Sequence, residues 1–239
     1  MIKLFLSYDN IDPNLGSKFV HTENSFTILN LDSAITKHVQ FDEWNYGSKD
    51  YYGEYKDLSP LYWAIKKENI EIVKLLLSCE KIDINQISYC SFNGDLGFEK
   101  TLLFFSIEEN NIDIMNLLLS NEKIDVNMVS KVYEKEDDDD DVYKYKNYVQ
   151  WEYIKTPLYY AVEKEKIDVI KILLSRGDID LNYICKGQKL NEKNNYIGLN
   201  AKPAFNLAIE NENIEIINLL LENQNIDVNI KSIQNSILI

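Results

Sequence analysis

Ile72, Val73, Leu76 and Leu77 are apolar, while Lys74, Ser78 and Glu80 among and after them are polar. That three- and four-residue spacing puts the apolar set on one face of a helix. The pattern returns along the chain as IVKLLLSCEKIDIN (72–85), IMNLLLSNEKIDVN (114–127), VIKILLSRGDIDLN (169–182) and IINLLLENQNIDVN (216–229). Each copy follows a second related string: SPLYWAIKKENIE (59–71), TLLFFSIEENNID (101–113), TPLYYAVEKEKID (156–168) and PAFNLAIENENIE (203–215). Every unit therefore predicts two short helices. Ser59, Thr101 and Thr156 stand where an N-cap oxygen is wanted, and Pro60 and Pro157 follow at the first helical position, where a missing N–H costs nothing. In the last unit Pro203 takes the cap position and Ala204 follows it. A polar tract such as Lys66 to Asn69 divides the two helices. Helices of about eight residues are not stable alone. Stacked on neighbours they bury both apolar faces, at about 1.5–3 kcal/mol per leucine. Leu76, Leu118, Leu173 and Leu220 are the expected core.

The chain begins in the middle of this pattern. Its opening, MIKLFLSYDNIDPN, sits 71 residues ahead of the first full copy, and Lys3, Leu4, Leu6, Ser7, Ile11, Asp12 and Asn14 all match. Residues 1–14 thus read as a half unit, a second helix without its first. The expectation is a truncated piece of a longer array. The alternative is that residues 15–58 fold back over Leu4 and Phe5.

The Asp-x-Asn motif starts at 12, 83, 125, 180 and 227, with spacings of 71, 42, 55 and 47 residues. The helical strings keep constant length, so the variation lies between each Asn and the next helix pair. Insertions on one face mark binding loops or tolerated surface growth. Residues 128–155 are the clearest case: MVSKVYEK and VYKYKNYVQWEY flank EDDDDD. Tyr143, Tyr145, Val149, Trp151 and Tyr153 alternate with period two, as a strand requires. The segment predicts a two-stranded hairpin lying on its own solenoid, with a solvated acidic tip. Within 15–58, NLDSAITK (30–37) lines up with PLYWAIKK (60–67), but no apolar second helix follows. This segment reads as an insertion with one short helix, or else as a decayed repeat.

These strings resemble the ankyrin repeat family, through its TPLH-x-A-A helix start, its LL-containing second helix and its D-V-N strand start. The resemblance covers 59–85, 101–127, 156–182 and 203–229, with the half unit at 1–14. It implies an all-α solenoid of stacked helix-turn-helix repeats over 59–239, with β-hairpin or loop insertions where the family has finger hairpins. The family's histidine is replaced by Tyr62, Phe104, Tyr159 and Asn206. The glycine that ends its first helix is replaced by Glu68, Asn110, Glu165 and Glu212, which predicts altered helix ends. The spacing also exceeds the family's roughly 33 residues.

Composition narrows the function. The net charge of −14, from 39 acidic and 25 basic residues, repels phosphate backbones and anionic lipid surfaces. No apolar run is long enough to span a bilayer. Three cysteines, an odd number without a CxxC pair, suit reduced thiols in the cytoplasm or nucleus. His21 and His38, the only histidines, have no cysteine at ligand or nucleophile spacing. Eight glycines and no phosphate-loop motif leave no nucleotide cradle. No enzyme activity, metal or cofactor is expected. The Asp-x-Asn motif reads as a turn that satisfies its own backbone.

The resemblance implies a protein-interaction module, a scaffold or adaptor, whose partner lies across the first helices and fingers. An alternative is a fragment of a longer protein with an enzymatic or membrane domain elsewhere. By position, the implied first-helix contacts are Trp63, Lys66, Lys67, Phe105, Glu108, Glu109, Tyr160, Glu163, Lys164, Leu207, Glu210 and Asn211. Trp63, Phe105, Tyr160 and Leu207 could instead pack between repeats. The acidic tip, Asp137, Asp138, Asp139, Asp140 and Asp141, lacks the glycine turn and terminal glutamate of a calcium loop. It points to a basic segment as partner.

Overall fold

The computed structural model describes residues 17–22, 25–29, 38–39, 53–92, 95–135, 150–190 and 196–236. The chain forms two compact units, Met1–Ile124 and Asp125–Ile239. The first holds strands β1 (Ser17–Thr22), β2 (Ser25–Leu29), β3 (His38–Val39) and β4 (Gly53–Leu58), helices α1 (Pro60–Lys66) and α2 (Ile70–Leu77), strands β5 (Ile87–Phe92) and β6 (Asp95–Thr101), and helices α3 (Leu102–Glu108) and α4 (Ile112–Leu119). The second holds β7 (Ser130–Lys135), β8 (Gln150–Lys155), α5 (Pro157–Glu163), α6 (Ile167–Leu174), β9 (Cys185–Leu190), β10 (Tyr196–Lys202), α7 (Ala204–Glu210), α8 (Ile214–Leu221) and β11 (Ile233–Ser236).

All four helix pairs start where the caps predict. Ser59 Oγ accepts from Tyr62 N, Thr101 Oγ1 from Phe104 N and Thr156 Oγ1 from Tyr159 N, each at 3.1 Å. Pro203 has no side-chain oxygen to offer, and α7 begins without such a bond. The first helices end in Schellman closures. Asn69 N donates to Ala64 O and Glu68 N to Ile65 O, and the same pair of bonds closes α3, α5 and α7.

The expected change at these ends is absent. Glu68, Asn110, Glu165 and Glu212 all hold the left-handed conformation, with φ of 51°, 57°, 51° and 55°. Two hydrogen bonds and the stacking of both helices outweigh the roughly 1–2 kcal/mol that a side chain costs there. The next residue then caps the second helix: Asn69, Asn111 and Asn213 accept from the N–H of Ile72, Ile114 and Ile216. Lys166, the equivalent in the third pair, makes no side-chain cap.

Within the first unit α1 packs along α3 and α2 along α4; within the second α5 packs along α7 and α6 along α8. Leu76, Leu118, Leu173 and Leu220 are buried, as their place on the stripe requires.

The all-α expectation does not hold. In the second unit β7 to β11 form one antiparallel sheet in chain order, and β8 pairs with β9 of the following finger, with Trp151 opposite Lys189 and Tyr153 opposite Gly187. In the first unit the order is β6-β5-β4-β1-β2-β3. Hairpins resting singly on the helices give way to a shared sheet. The reason is geometric. A hairpin is two strands wide, about 9–10 Å, and a layer of packed helices repeats every 8–10 Å or so. Arms of six or seven residues are long enough for neighbouring fingers to hydrogen-bond. Residues 15–58 contribute β1 to β4 to the first sheet. Residues 1–14, 30–37 and 136–149 lie outside the described residues, and with them the half unit, the NLDSAITK helix and Tyr143, Tyr145 and Val149.

The Asp-x-Asn turn does more than satisfy itself. Asn85, Asn127, Asn182 and Asn229 donate N–H to Oδ1 of Asp83, Asp125, Asp180 and Asp227 at 2.9–3.0 Å. Three of their side chains also reach the next repeat. Asn85 Nδ2 donates to Lys123 O (2.8 Å), Asn127 Nδ2 to Asp178 O (2.7 Å) and Asn182 Nδ2 to Asn225 O (2.9 Å). Asn127 Oδ1 and Asn182 Oδ1 accept from the N–H of Asp180 and Asp227 in return. The motif is therefore a clamp between repeats.

Candidate partner-binding face

The N-cap that starts each first helix follows directly on the second arm of a finger, so the residue before the cap faces that helix. In three repeats this residue is lysine. Lys100 Nζ lies 2.8 and 2.7 Å from the Glu108 carboxylate oxygens, and Lys155 Nζ lies 2.9 and 3.0 Å from those of Glu163. Lys202 pairs with Glu210 in the same way. Lys155 is only 1% exposed, and its ammonium also sits 4.3 Å from the Tyr153 ring centre, as Lys100 does from that of Phe98. Opposite charge and an aromatic face together repay its desolvation.

Glu108, Glu163 and Glu210 therefore bind inwards to lysines of their own chain. The sequence carried the signal: EKTLLFFSIE, IKTPLYYAVE and AKPAFNLAIE set Lys eight residues before Glu. The first repeat reads DLSPLYWAIK, where Leu58 and Lys66 replace both partners at once. Lys66 instead meets Glu109, the C-cap of α3, at 3.1 Å and lies 5.2 Å from the Phe105 ring centre.

The other first-helix candidates divide by burial. Phe105 and Tyr160 are buried, so they pack within the array; Trp63 and Leu207 are half-buried. Phe105 stands 5.0 Å from Tyr62, centre to centre. Lys67, Glu109, Lys164, Glu210 and Asn211 are exposed. Lys164 lies 3.7 Å from Glu163 and 5.7 Å from the Tyr160 ring centre. Asp137 to Asp141 lie outside the described residues.

Alternation along β8 sets Trp151, Tyr153 and Lys155 on one sheet face, the face from which Lys155 reaches α5. Trp151 and Tyr153 stack with ring centres 5.6 Å apart and 15° between planes. Both lean over Gly187 of β9, where an added Cβ would come within 2.6 and 2.8 Å of the Tyr153 ring. Glycine is required there by close approach. Lys189 lies 5.8 Å from the Trp151 ring centre. This shelf was half legible, since period two marked Trp151 and Tyr153 but no pattern along the chain announced their pairing across to Gly187.

Cys79 and Cys185 are free thiols among the described residues, Cys79 half-buried and Cys185 buried, and the setting of Cys185 disarms it. Burial pushes its thiol up to about 11. Thr156 N donates to its sulfur at 3.4 Å, which opposes the shift weakly. The thiol is neutral near pH 7. Among the described residues no cluster of His, Cys, Asp or Glu could hold a metal ion, and no helix is long and apolar enough to cross a membrane.

A family model described as "Ankyrin repeats (3 copies)" matches residues 32–131, 90–185 and 141–232. No curated protein matches the chain closely enough to count as a relative. The matched span runs from residue 32 to 232 and contains all four cap-helix-turn-helix pairs. With its repeated Schellman closures and Asp-x-Asn turns, the chain belongs to the ankyrin repeat family, whose repeats form protein-interaction modules.

Proposed function

We infer that the chain acts by binding another protein across the face shared by first helices and finger sheet, and that catalysis is no part of its role. The observation that carries this is Lys155. It belongs to the finger strand β8, shares a face with Trp151 and Tyr153, and is tied to Glu163 on α5. Finger and first helix thus form one fixed surface in the second unit, with half-exposed aromatics beside exposed charge. Aromatic side chains on a rigid base supply most of the energy of protein recognition. Trp63, Lys66, Lys67, Glu109, Lys164, Leu207 and Asn211 are the proposed first-helix contacts.

The partner segment is basic in this reading, and nucleic acid is excluded, because the chain carries a net charge of −14 and five consecutive aspartates. Such a field speeds encounter with Lys- or Arg-rich segments. A cytoplasmic scaffold or adaptor role fits the odd cysteine count. The test uses a partner captured from native extract. Association should slow as salt rises, and replacing Asp137 to Asp141 by asparagine should slow association more than it speeds dissociation. A partner whose rates ignore both changes overturns the basic-segment reading.

A further inference from the structure

A cavity lies beside the aromatic shelf of the second unit. Lys155, Tyr159, Cys185 and Asn200 line it, with Tyr153 and Gly187 of the shelf at its side. Together with its half-open mouth it measures about 190 Å³, and its enclosed part has room for about one water-sized group. A nucleotide, a sugar or an aromatic ring is too large for it. Two of its polar side chains are unused. Tyr159 is 9% exposed, and among the described residues its hydroxyl makes no hydrogen bond; only its backbone N–H does, to Thr156. The half-buried Asn200 side-chain amide makes none either among the described residues. In the fourth repeat the counterpart of Tyr159 is Asn206, whose amide donates to Ile230 O at 2.9 Å and Ser232 Oγ at 2.8 Å. A buried hydroxyl without such a bond costs stability until a ligand or a water meets it.

We propose that this cavity receives the neutral carboxamide end of a glutamine or asparagine of the bound partner, its carbonyl oxygen accepting from the Tyr159 hydroxyl and the Asn200 amide. The proposal rests on the reading of this face as the partner's. Burial pushes the Tyr159 hydroxyl up, so it keeps its proton and donates. An oxygen is the one atom that meets both donors in so small a space. Charge decides against a carboxylate. Lys155 already faces the Glu163 oxygens at 2.9 and 3.0 Å, and Lys202 pairs with Glu210. Lys186 also borders the cavity, but it is exposed and follows Cys185 on the strand, so it belongs to the other sheet face. An entering anion would lose its water beside the Glu163 carboxylate, in a chain whose net charge is already −14. A carboxamide has no charge to desolvate, and its nitrogen stays at the mouth in reach of solvent.

Propionamide titrated into the full chain tests the chemistry, with carbon-13 at the tyrosine ζ carbons and nitrogen-15 in the amides. Tyr159 and the Asn200 side chain should shift together and saturate, with a midpoint on the order of 10 mM for so small a ligand. Propionate at matched ionic strength should bind at least about tenfold more weakly. Tyr159→Phe should remove the tyrosine signal and the shift at Asn200. Phe104 holds the same position in the second repeat, so that variant folds. Asn200→Ala should weaken propionamide about fivefold, and a partner captured from native extract by a similar factor. No saturable shift, propionate binding as tightly, or shifts that survive both variants overturn the proposal. Propionamide binding with partner affinity unchanged in Asn200→Ala overturns the partner's insertion there. The titration needs no partner, so its failure leaves the basic-segment reading to its own salt test.

Discussion

Lys155 Nζ and Glu163 Oε1 stand 2.9 Å apart, with the lysine buried and the glutamate a quarter exposed. Removing either charge strands the other. Glu163→Lys should cost about 3–5 kcal/mol, as for a broken buried pair. The first repeat shows the alternative, with Leu58 and Lys66 at the two positions. Adding Lys155→Leu to Glu163→Lys should therefore recover more than half of the loss. Urea melts of the two single variants and the double close the cycle, and additive losses would show that the pair is not coupled.

The third helix pair lacks a cap that its three counterparts have. Lys166→Asn should supply one, as Asn111 does for α4, and stabilise the chain by about 1 kcal/mol. Thermal melts should rise. No rise would mean that the lysine's own contacts are worth as much as the cap.

Glu165 holds a φ of 51°. Glycine there should stabilise by about 0.5–1 kcal/mol, the left-handed cost relieved less the backbone entropy that glycine adds to the unfolded chain. Asn110→Gly should gain less, because asparagine tolerates this region. An equal gain at both sites would contradict the strain argument.

The helices were legible because two signals agreed at each start, a cap and an apolar stripe, and the repeat multiplied them. The left-handed helix ends were not. Glutamate argues against that conformation locally, and only the stacking of both helices overrides it. The shared finger sheet was missed because strand alternation marks a single hairpin and says nothing of what lies beside it. At the binding face, Lys155 and Lys202 escaped notice because each reads as one more scattered lysine until its glutamate eight residues on is seen. Glu108, Glu163 and Glu210 were identified, but as outward contacts.

Cys185 gives a pH signature. Its thiol is raised from 9.0 to about 11 in the folded chain, so above 9.0 the unfolded chain loses a proton that the folded chain keeps. Stability is whole below 9.0 and falls as pH rises towards 11. Tyr159, raised by burial, adds to the loss at higher pH. Cys185→Ala should flatten the fall in urea midpoints over that window. An unchanged slope would assign it to other groups.

Gly187→Ala tests the aromatic shelf. A methyl group would lie 2.6 Å from the Tyr153 ring, so the ring must turn away from Trp151. Near-ultraviolet dichroism of the stacked pair should change while the helical signal persists. Partner affinity should fall without loss of the fold.

The central claim is that first helices and fingers, and not the second helices, meet the partner. Photo-crosslinking amino acids placed at Lys67, Lys164 and Asn211, and separately at Glu71, Asp113 and Asp168 on the second helices, test it directly in native extract. Adducts from the first group alone are the predicted result; adducts from the second group alone would contradict the account.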